Sequence, residues 1–455
     1  MIKEILDRDF VLSRLQAIDS IADGFVENAR NDADESDDLK QSVEENKQAI
    51  EEALPLLRDA AARESQKESE GIEREAFVSR DAYLSLLQSA LQEYHEEIKR
   101  NVSEPTAEQM GAFPVEPPVT NRELEGETMP TEDGAKKLFN KFTKTDIRWV
   151  GSKISEGIAW LRGKHAFNDK PAEPSKIANR ARVVLVSDWG TGIPRAGKIG
   201  SAMRDALAVN TENRELHIMH LGDVYYSGWK REYEKHFLPF WPVKESEADR
   251  IGSWCLNANH DMYSGGYGYY DFLLSDRRFQ RQQHSSFFSL QNDHWRILGL
   301  DTAYDDHALH DPQGEWLKSQ LESDGRKGIL LSHHQPFSAY ERGGEKLLGN
   351  ERLSAALDTD RVRAWFWGHE HRCALYEPRN KIAYPRCIGH GGVPEYASDR
   401  EKPSTVRYVY QASLETNLFE SWALFGFAVL DFDDAQINVR YINENRETHY
   451  EETLE

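Results

Sequence analysis

The sequence predicts an α/β domain over residues 177–455, preceded by a charged α-helical region. Three observations predict it. From Ile177 onward, short β-rich runs alternate with amphipathic helical stretches, the signature of an α/β core. The first hundred residues instead show apolar residues at helical spacing and no strand signal. Between the two lies a stretch broken by Pro105, Pro114, Pro117, Pro118 and Pro130, which reads as a linker.

Residues 1–103 come first. Leu6, Phe10, Ile18, Ile21 and Phe25 mark one helix, and the acidic block Asn31 to Asp38 reads as a turn. Two more helices are expected, from about Leu39 to Ala61 and from Ala82 to Lys99. Their apolar stripes are narrow, as in helical hairpins and coiled coils, so the region is expected to associate with itself as a homo-oligomer or to bind a partner. Residues 104–134 are the linker. In residues 135–176, Ile147, Val150, Ile154, Ile158 and Leu161 fall at helical spacing among lysines. This is an amphipathic connector expected to dock on the next domain; Gly151 and Gly157 weaken a membrane-surface reading.

In the α/β domain, strands are expected at Arg182–Ser187, Leu216–Leu221, Gly252–Asn257, Trp295–Asp301, Gly328–His333 and Val362–Gly368. Helices are expected from Lys198 and from Pro312, the latter with Asp311 as N-cap. The closing run from Phe425 reads as an antiparallel hairpin turning near Asp433 and Asp434.

Composition narrows the function classes. The chain has 455 residues and a formal net charge of -22, which argues against sequence-independent binding to a nucleic-acid backbone. Three scattered cysteines, Cys255, Cys373 and Cys387, argue against a disulfide framework and fit a reducing compartment. The N-terminus has no apolar core of signal-peptide length, and no long uncharged apolar run is present. A cytoplasmic protein without a membrane partner is expected.

The chemistry lies at the strand ends. Asp188 follows the first strand, Asp223 the second, and Asn259 and His260 the third. His333 closes the strand at Gly328, with His334 next to it as the alternative ligand, and His369 and His371 follow the strand at Val362. Ligands of open α/β sheets bind at the carboxyl ends of strands. Carboxylate and imidazole donors together suit zinc, iron or manganese, and a pair of such ions needs an anionic bridge. A single Gly-Asp or His-x-His is weak evidence; the order and spacing of all five groups carry the argument. His390 and Asp301 also end expected strands, with a rim role or a structural one open for His390. The run from Met262 to Phe272 either lines a substrate mouth or packs as aromatic core.

With these motifs the chain resembles the calcineurin-like metallophosphoesterase superfamily, in its purple acid phosphatase-like branch. The matching stretches are Asp188-Trp189-Gly190, Gly222-Asp223-Val224-Tyr225-Tyr226, Ala258-Asn259-His260-Asp261, His333, and Gly368-His369-Glu370-His371. The resemblance implies a four-layer αββα sandwich and two divalent or trivalent metal ions (Mn, Fe or Zn). It implies that Asp188, Tyr226 and His371 hold one ion, that Asn259, His333 and His369 hold the other, and that Asp223 bridges them. His260 would bind phosphate or protonate the leaving oxygen. Gly190 stands where many relatives carry a histidine, which fits the branch with a tyrosine ligand. Ala258 replaces a glycine. The implied activity is hydrolysis of small phosphomonoesters or nucleotide-type phosphodiesters by metal-activated water or hydroxide. The competing readings are a protein Ser/Thr phosphatase and a degenerate metal-binding scaffold whose N-terminal helices do the work.

Overall fold

The computed structural model describes residues 164–455, except Asn210, Glu212, 341–345, 396–401 and 418–419. The helices expected in residues 1–103, the linker, and the connector as far as residue 163 lie outside the described residues. Lys164–Met262 together with Gly266–Glu455 makes one compact unit.

Sixteen strands are formed among the described residues. The first eight are β1 (Ser175–Lys176), β2 (Ala181–Val186), β3 (Glu215–His220), β4 (Ile251–Cys255), β5 (Phe288–Gln291), β6 (Trp295–Gly299), β7 (Lys327–Ser332) and β8 (Val362–Trp367). They are followed by β9 (Cys373–Tyr376), β10 (Tyr384–Ile388), β11 (Val406–Val409), β12 (Ser413–Asn417), β13 (Glu420–Ala423), β14 (Gly426–Asp433), β15 (Gln436–Asn443) and β16 (Thr448–Leu454). The helices are α1 (Pro194–Ala206), α2 (Lys230–Glu232), α3 (Asn259–Tyr263), α4 (Gln313–Glu322) and α5 (Glu351–Leu357).

One sheet has six strands in the order β16-β15-β14-β2-β3-β4, and another has eight in the order β1-β5-β6-β7-β8-β10-β9-β11. Alternation along each strand sorts side chains to two faces. Val183 and Leu185 of β2 and Met219 of β3 meet Ile297, Ile329, Leu331 and Phe366 of the other sheet in a shared apolar core. Val184, Val186 and Ile218, on the opposite face, pack under Ile199 and Met203 of α1. Leu298, Leu330 and Trp365 turn outward onto Leu317 and Leu321 of α4 and Leu353 of α5. The result is helix, sheet, sheet, helix: the αββα sandwich.

Strand ends fall within one or two residues of those expected. α1 starts four residues earlier than Lys198, because Pro194 at its first turn needs no backbone donor there. α4 corrects the expected cap: it begins at Gln313 with Pro312 in the N-cap position. The carboxylate of Asp311 is drawn instead to Arg352 of α5, whose Nη2 donates to it at 2.8 Å. The described end of the stretch read as connector, Lys164–Lys176, carries no helix and contributes β1. The hairpin of β14 and β15 turns at Asp433–Gln436, and β16 adds a further antiparallel strand that the sequence reading lacked.

This topology positions the site. β2, β3 and β4 are parallel neighbours, as are β7 and β8, so the loops after all five leave from carboxyl ends.

Candidate metal centre

Asp188 follows β2 and Asp223 follows β3, and both are buried. Each adopts a positive φ, 56° and 76°, as do His369 (68°) and His371 (44°) after β8. Left-handed backbone at a residue with a β-carbon costs roughly 1 kcal/mol or more and persists only where surrounding structure holds it. Here it turns the side chains off the strand axis toward a common point. Gly222, at φ 101°, leads into Asp223, and a β-carbon there would lie 2.5 Å from that of Ala258 and 3.1 Å from His333 Nδ1. Ala258 itself is absent from the positive-φ residues, so its methyl imposes no backbone strain.

Asp223 presents its two oxygens to two groups of donors. On one side, Oδ2 accepts from the Tyr225 hydroxyl at 2.8 Å. That hydroxyl lies 3.0 Å from Asp188 Oδ1 and 3.0 Å from His371 Nε2. Donor atoms of Asp188, Asp223 and His371 all fall within 4.8 Å of one another. On the other side, Oδ1 lies 3.4 Å from His333 Nε2. The same nitrogen is 2.9 Å from Asn259 Oδ1 and 3.3 Å from His369 Nδ1. The structure thus brings together Asp188, Asp223, Asn259, His333, His369 and His371.

The hydroxyl that reaches the carboxylates belongs to Tyr225, one residue before the tyrosine the resemblance points to. Tyr226 approaches through its backbone: its carbonyl accepts from His260 Nδ1 at 2.6 Å, and its N–H donates to Glu232. Both tyrosines were legible in the motif, but spacing alone could not decide which ring turns inward. Of the two adjacent histidines, His333 enters the site, its Nδ1 donating to the Leu221 carbonyl at 3.0 Å and so leaving Nε2 as the lone-pair nitrogen. His334 Nδ1 donates instead to the Thr302 carbonyl at 2.8 Å, and its ring lies against His307 with centroids 3.9 Å apart.

His260 is partly exposed beside the site, and its backbone N–H donates to Asp223 Oδ1 at 3.2 Å. Two carboxylates missed in the sequence hold the loop after β3. Asp261 accepts the backbone N–H of Asp223 at 3.2 Å and of Val224 at 3.3 Å, and also the Tyr233 hydroxyl. Glu232 accepts the N–H of Ser227 at 3.0 Å and of Trp229 at 2.9 Å. The signal for Asp261 lay in the Asn-His-Asp run itself; Glu232 had none.

Asp301 has a structural job, accepting from Asn257 Nδ2 at 3.1 Å and from the Tyr270 hydroxyl at 2.7 Å. Tyr269 and Tyr270 are buried core, which favours packing for that part of the aromatic run. His390 is buried, away from the rim.

The electrostatics test whether these residues fit metal ions. Burial, followed by the Asp223 charge, pushes Asp188 well above the ordinary carboxylate range. Burial drives His371 down to about 3 and His333 well below the usual imidazole range. The imidazoles are therefore neutral donors at pH 7, as metal ligands must be. Two buried carboxylates crowded together are costly without a cation between them. Oxygen and nitrogen donors converging on this point fit bound metal.

Residues 181–373 match the family model of the calcineurin-like phosphoesterases. Tartrate-resistant acid phosphatase type 5 of Mus musculus is 25% identical over 305 residues, 60% of this chain and 90% of that protein. The Sus scrofa protein of the same name is 26% identical over 292 residues, 57% of this chain and 83% of its own length. A solved structure, the anchor in the inner membrane complex of Plasmodium, aligns at a TM-score of 0.44 and 17% identity over 60% of this chain and 88% of its own. Strand-end donors, sandwich and family model agree on a calcineurin-like phosphoesterase domain over residues 181–373, similar to the purple acid phosphatases and supporting a metal-dependent phosphoester hydrolase.

Proposed function

We propose that the chain hydrolyses small phosphomonoesters or nucleotide-type phosphodiesters at a binuclear centre bridged by Asp223. The observation that carries this reading is the division of the Asp223 carboxylate, with Oδ2 toward Tyr225 and Oδ1 toward His333. Asp188, Tyr225 and His371 would hold one ion; Asn259, His333 and His369 would hold the other. Tyr226, implied by the resemblance, is the alternative phenol ligand. When bound, such ions (Mn, Fe or Zn) would supply Lewis acidity that lowers the pKa of a water and draws charge from the phosphate oxygens.

The chain's own residues supply the rest. Asp261 and Glu232 fix the backbone after β3, so the bridging carboxylate does not reorganise as charge develops. The Tyr226 carbonyl can only accept, so it holds one proton on His260 Nδ1 and fixes the ring; the imidazolium form carries a second proton on Nε2, which passes to the leaving oxygen and leaves the neutral Nδ1–H ring. Self-association through residues 1–103 belongs to the same proposal, resting on their narrow apolar stripes.

A screen with a chromogenic monoester and a chromogenic diester, after chelation and reloading with Mn, Fe or Zn, tests the reading. Activity should return with metal, and the ratio of the two rates assigns the ester class. Hydrolysis by chelated protein at the rate of the loaded protein would overturn it. Turnover of a phosphopeptide alone would move the assignment to a protein phosphatase.

A further inference from the structure

Among the described residues, one cluster of metal-binding side chains shares no member with the strand-end site. Cys373 begins β9, His390 lies two residues beyond β10, and His449 stands on β16. β9 and β10 are antiparallel neighbours in the eight-stranded sheet, with Cys373 opposite Ile388. β16 is the edge strand of the six-stranded sheet. The three residues therefore meet from both sheets. One donor atom from each, a thiol sulfur and two ring nitrogens, falls within 4.8 Å of the others.

The site is held in shape. Cys373 and His390 are fully buried and His449 is partly buried. The Tyr408 hydroxyl lies 3.0 Å from His449 Nδ1, and the Tyr410 ring stacks on the same imidazole at 3.7 Å with planes 13° apart. An outer partner on one ring nitrogen is the arrangement that orients metal-ligating histidines. The Tyr410 N–H donates to the Cys373 carbonyl at 3.0 Å, tying the stacking residue to the strand that carries the thiol. In a tetrahedral zinc site, donor atoms stand about 3.5 Å apart, given metal–ligand bonds of 2.0–2.3 Å. Binding would draw the three donor atoms, now within 4.8 Å of one another, to that spacing.

We infer that Cys373, His390 and His449 form a separate metal site for a zinc-class ion, pinning the two sheets together. A thiolate with two imidazoles selects zinc over the hard cations, which favour oxygen. Three protein donors leave a fourth position for water. The ion would brace the start of β9, two residues beyond His371. The inference does not depend on the reading of the binuclear centre, whose donors are all oxygen and nitrogen.

That difference in donors provides the test. The full-length chain is stripped and reloaded with cobalt(II), and its absorption is recorded. A sulfur-to-cobalt charge-transfer band in the near ultraviolet is expected, because only a thiolate ligand produces it. Cys373→Ser and His449→Gln should lose the band, and Cys255→Ser should keep it. Elemental analysis after zinc loading should find one ion fewer in Cys373→Ser than in the parent chain, while Asp223→Asn should keep the ion that Cys373→Ser loses. A chain that takes cobalt into its oxygen and nitrogen donors yet shows no sulfur band would overturn the inference, whatever becomes of the variants. So would a band that survives Cys373→Ser.

Discussion

Asp223 is the residue on which the centre turns. Asp223→Asn keeps the shape of the side chain but removes the charge that two cations would share, so metal content should fall and turnover should drop below detection while circular dichroism stays unchanged. Retained turnover would detach Asp223 from the chemistry. The tyrosines invite a paired comparison. Tyr225→Phe removes the hydroxyl 2.8 Å from Asp223 and should weaken metal retention about 10–100-fold, whereas Tyr226→Phe should leave it near the parent value. The reverse order of effects in a metal-competition titration would return the ligand role to Tyr226. For His260, held by the Tyr226 carbonyl, His260→Ala should cut turnover by about 10²–10⁴-fold and spare metal content. A loss of metal as large as that caused by Asn259→Ala would make His260 a ligand instead.

At the scale of elements, the segment from β3 to α2 is built around the partly buried Glu232. Burial pushes it up to about 7, opposed by the backbone N–H groups it accepts. A carboxyl group raised in the fold binds more protons folded than unfolded between its two pKa values. Its contribution to stability is therefore complete below about 4.5 and declines as pH rises through about 7. The decline is on the order of 3 kcal/mol, from about 1.4 kcal/mol per unit. Glu232→Gln cannot ionise. The stability of the parent chain relative to this variant should fall across that window, read from denaturant midpoints at fixed metal concentration. Parallel pH profiles for the two chains would refute the assignment.

For the molecule as a whole, the unit from Lys164 onward carries every candidate ligand, both sheets and the outer helices. All three cysteines are buried with no disulfide between them, and among the described residues no helix is long and apolar enough to cross a membrane. A chain beginning near residue 135 should keep its metals and hydrolyse a chromogenic ester, yet scatter light as a smaller species than the full chain, since short helices with narrow apolar stripes need a partner. Loss of metal on truncation would make the N-terminal third part of the catalytic core, and an unchanged particle size would rule out self-association through it.

The sequence alone determined which residue types end which strands. Strand periodicity is local, and Asp188, Asp223, Asn259, His333, His369 and His371 each sit one to four residues beyond a run of alternating or continuous apolar residues, so their order along the chain placed them at carboxyl ends of strands; the single sheet edge expected for them is corrected by the fold, which divides them between two sheets. The tertiary structure decided what periodicity does not encode. Whether Tyr225 or Tyr226 turns inward depends on backbone held by Glu232, a local partner 7 positions beyond Tyr225, and by Asp261, which lies 36 positions beyond it and arrives only with the loop after β4. His333 is separated from His334 by the Leu221 carbonyl on the other sheet, a partner 112 residues away. Cys373, His390 and His449 gave no motif at all: their spacing along the chain is irregular, and only the packing of one sheet's face on the other brings a thiol and two imidazoles to one point.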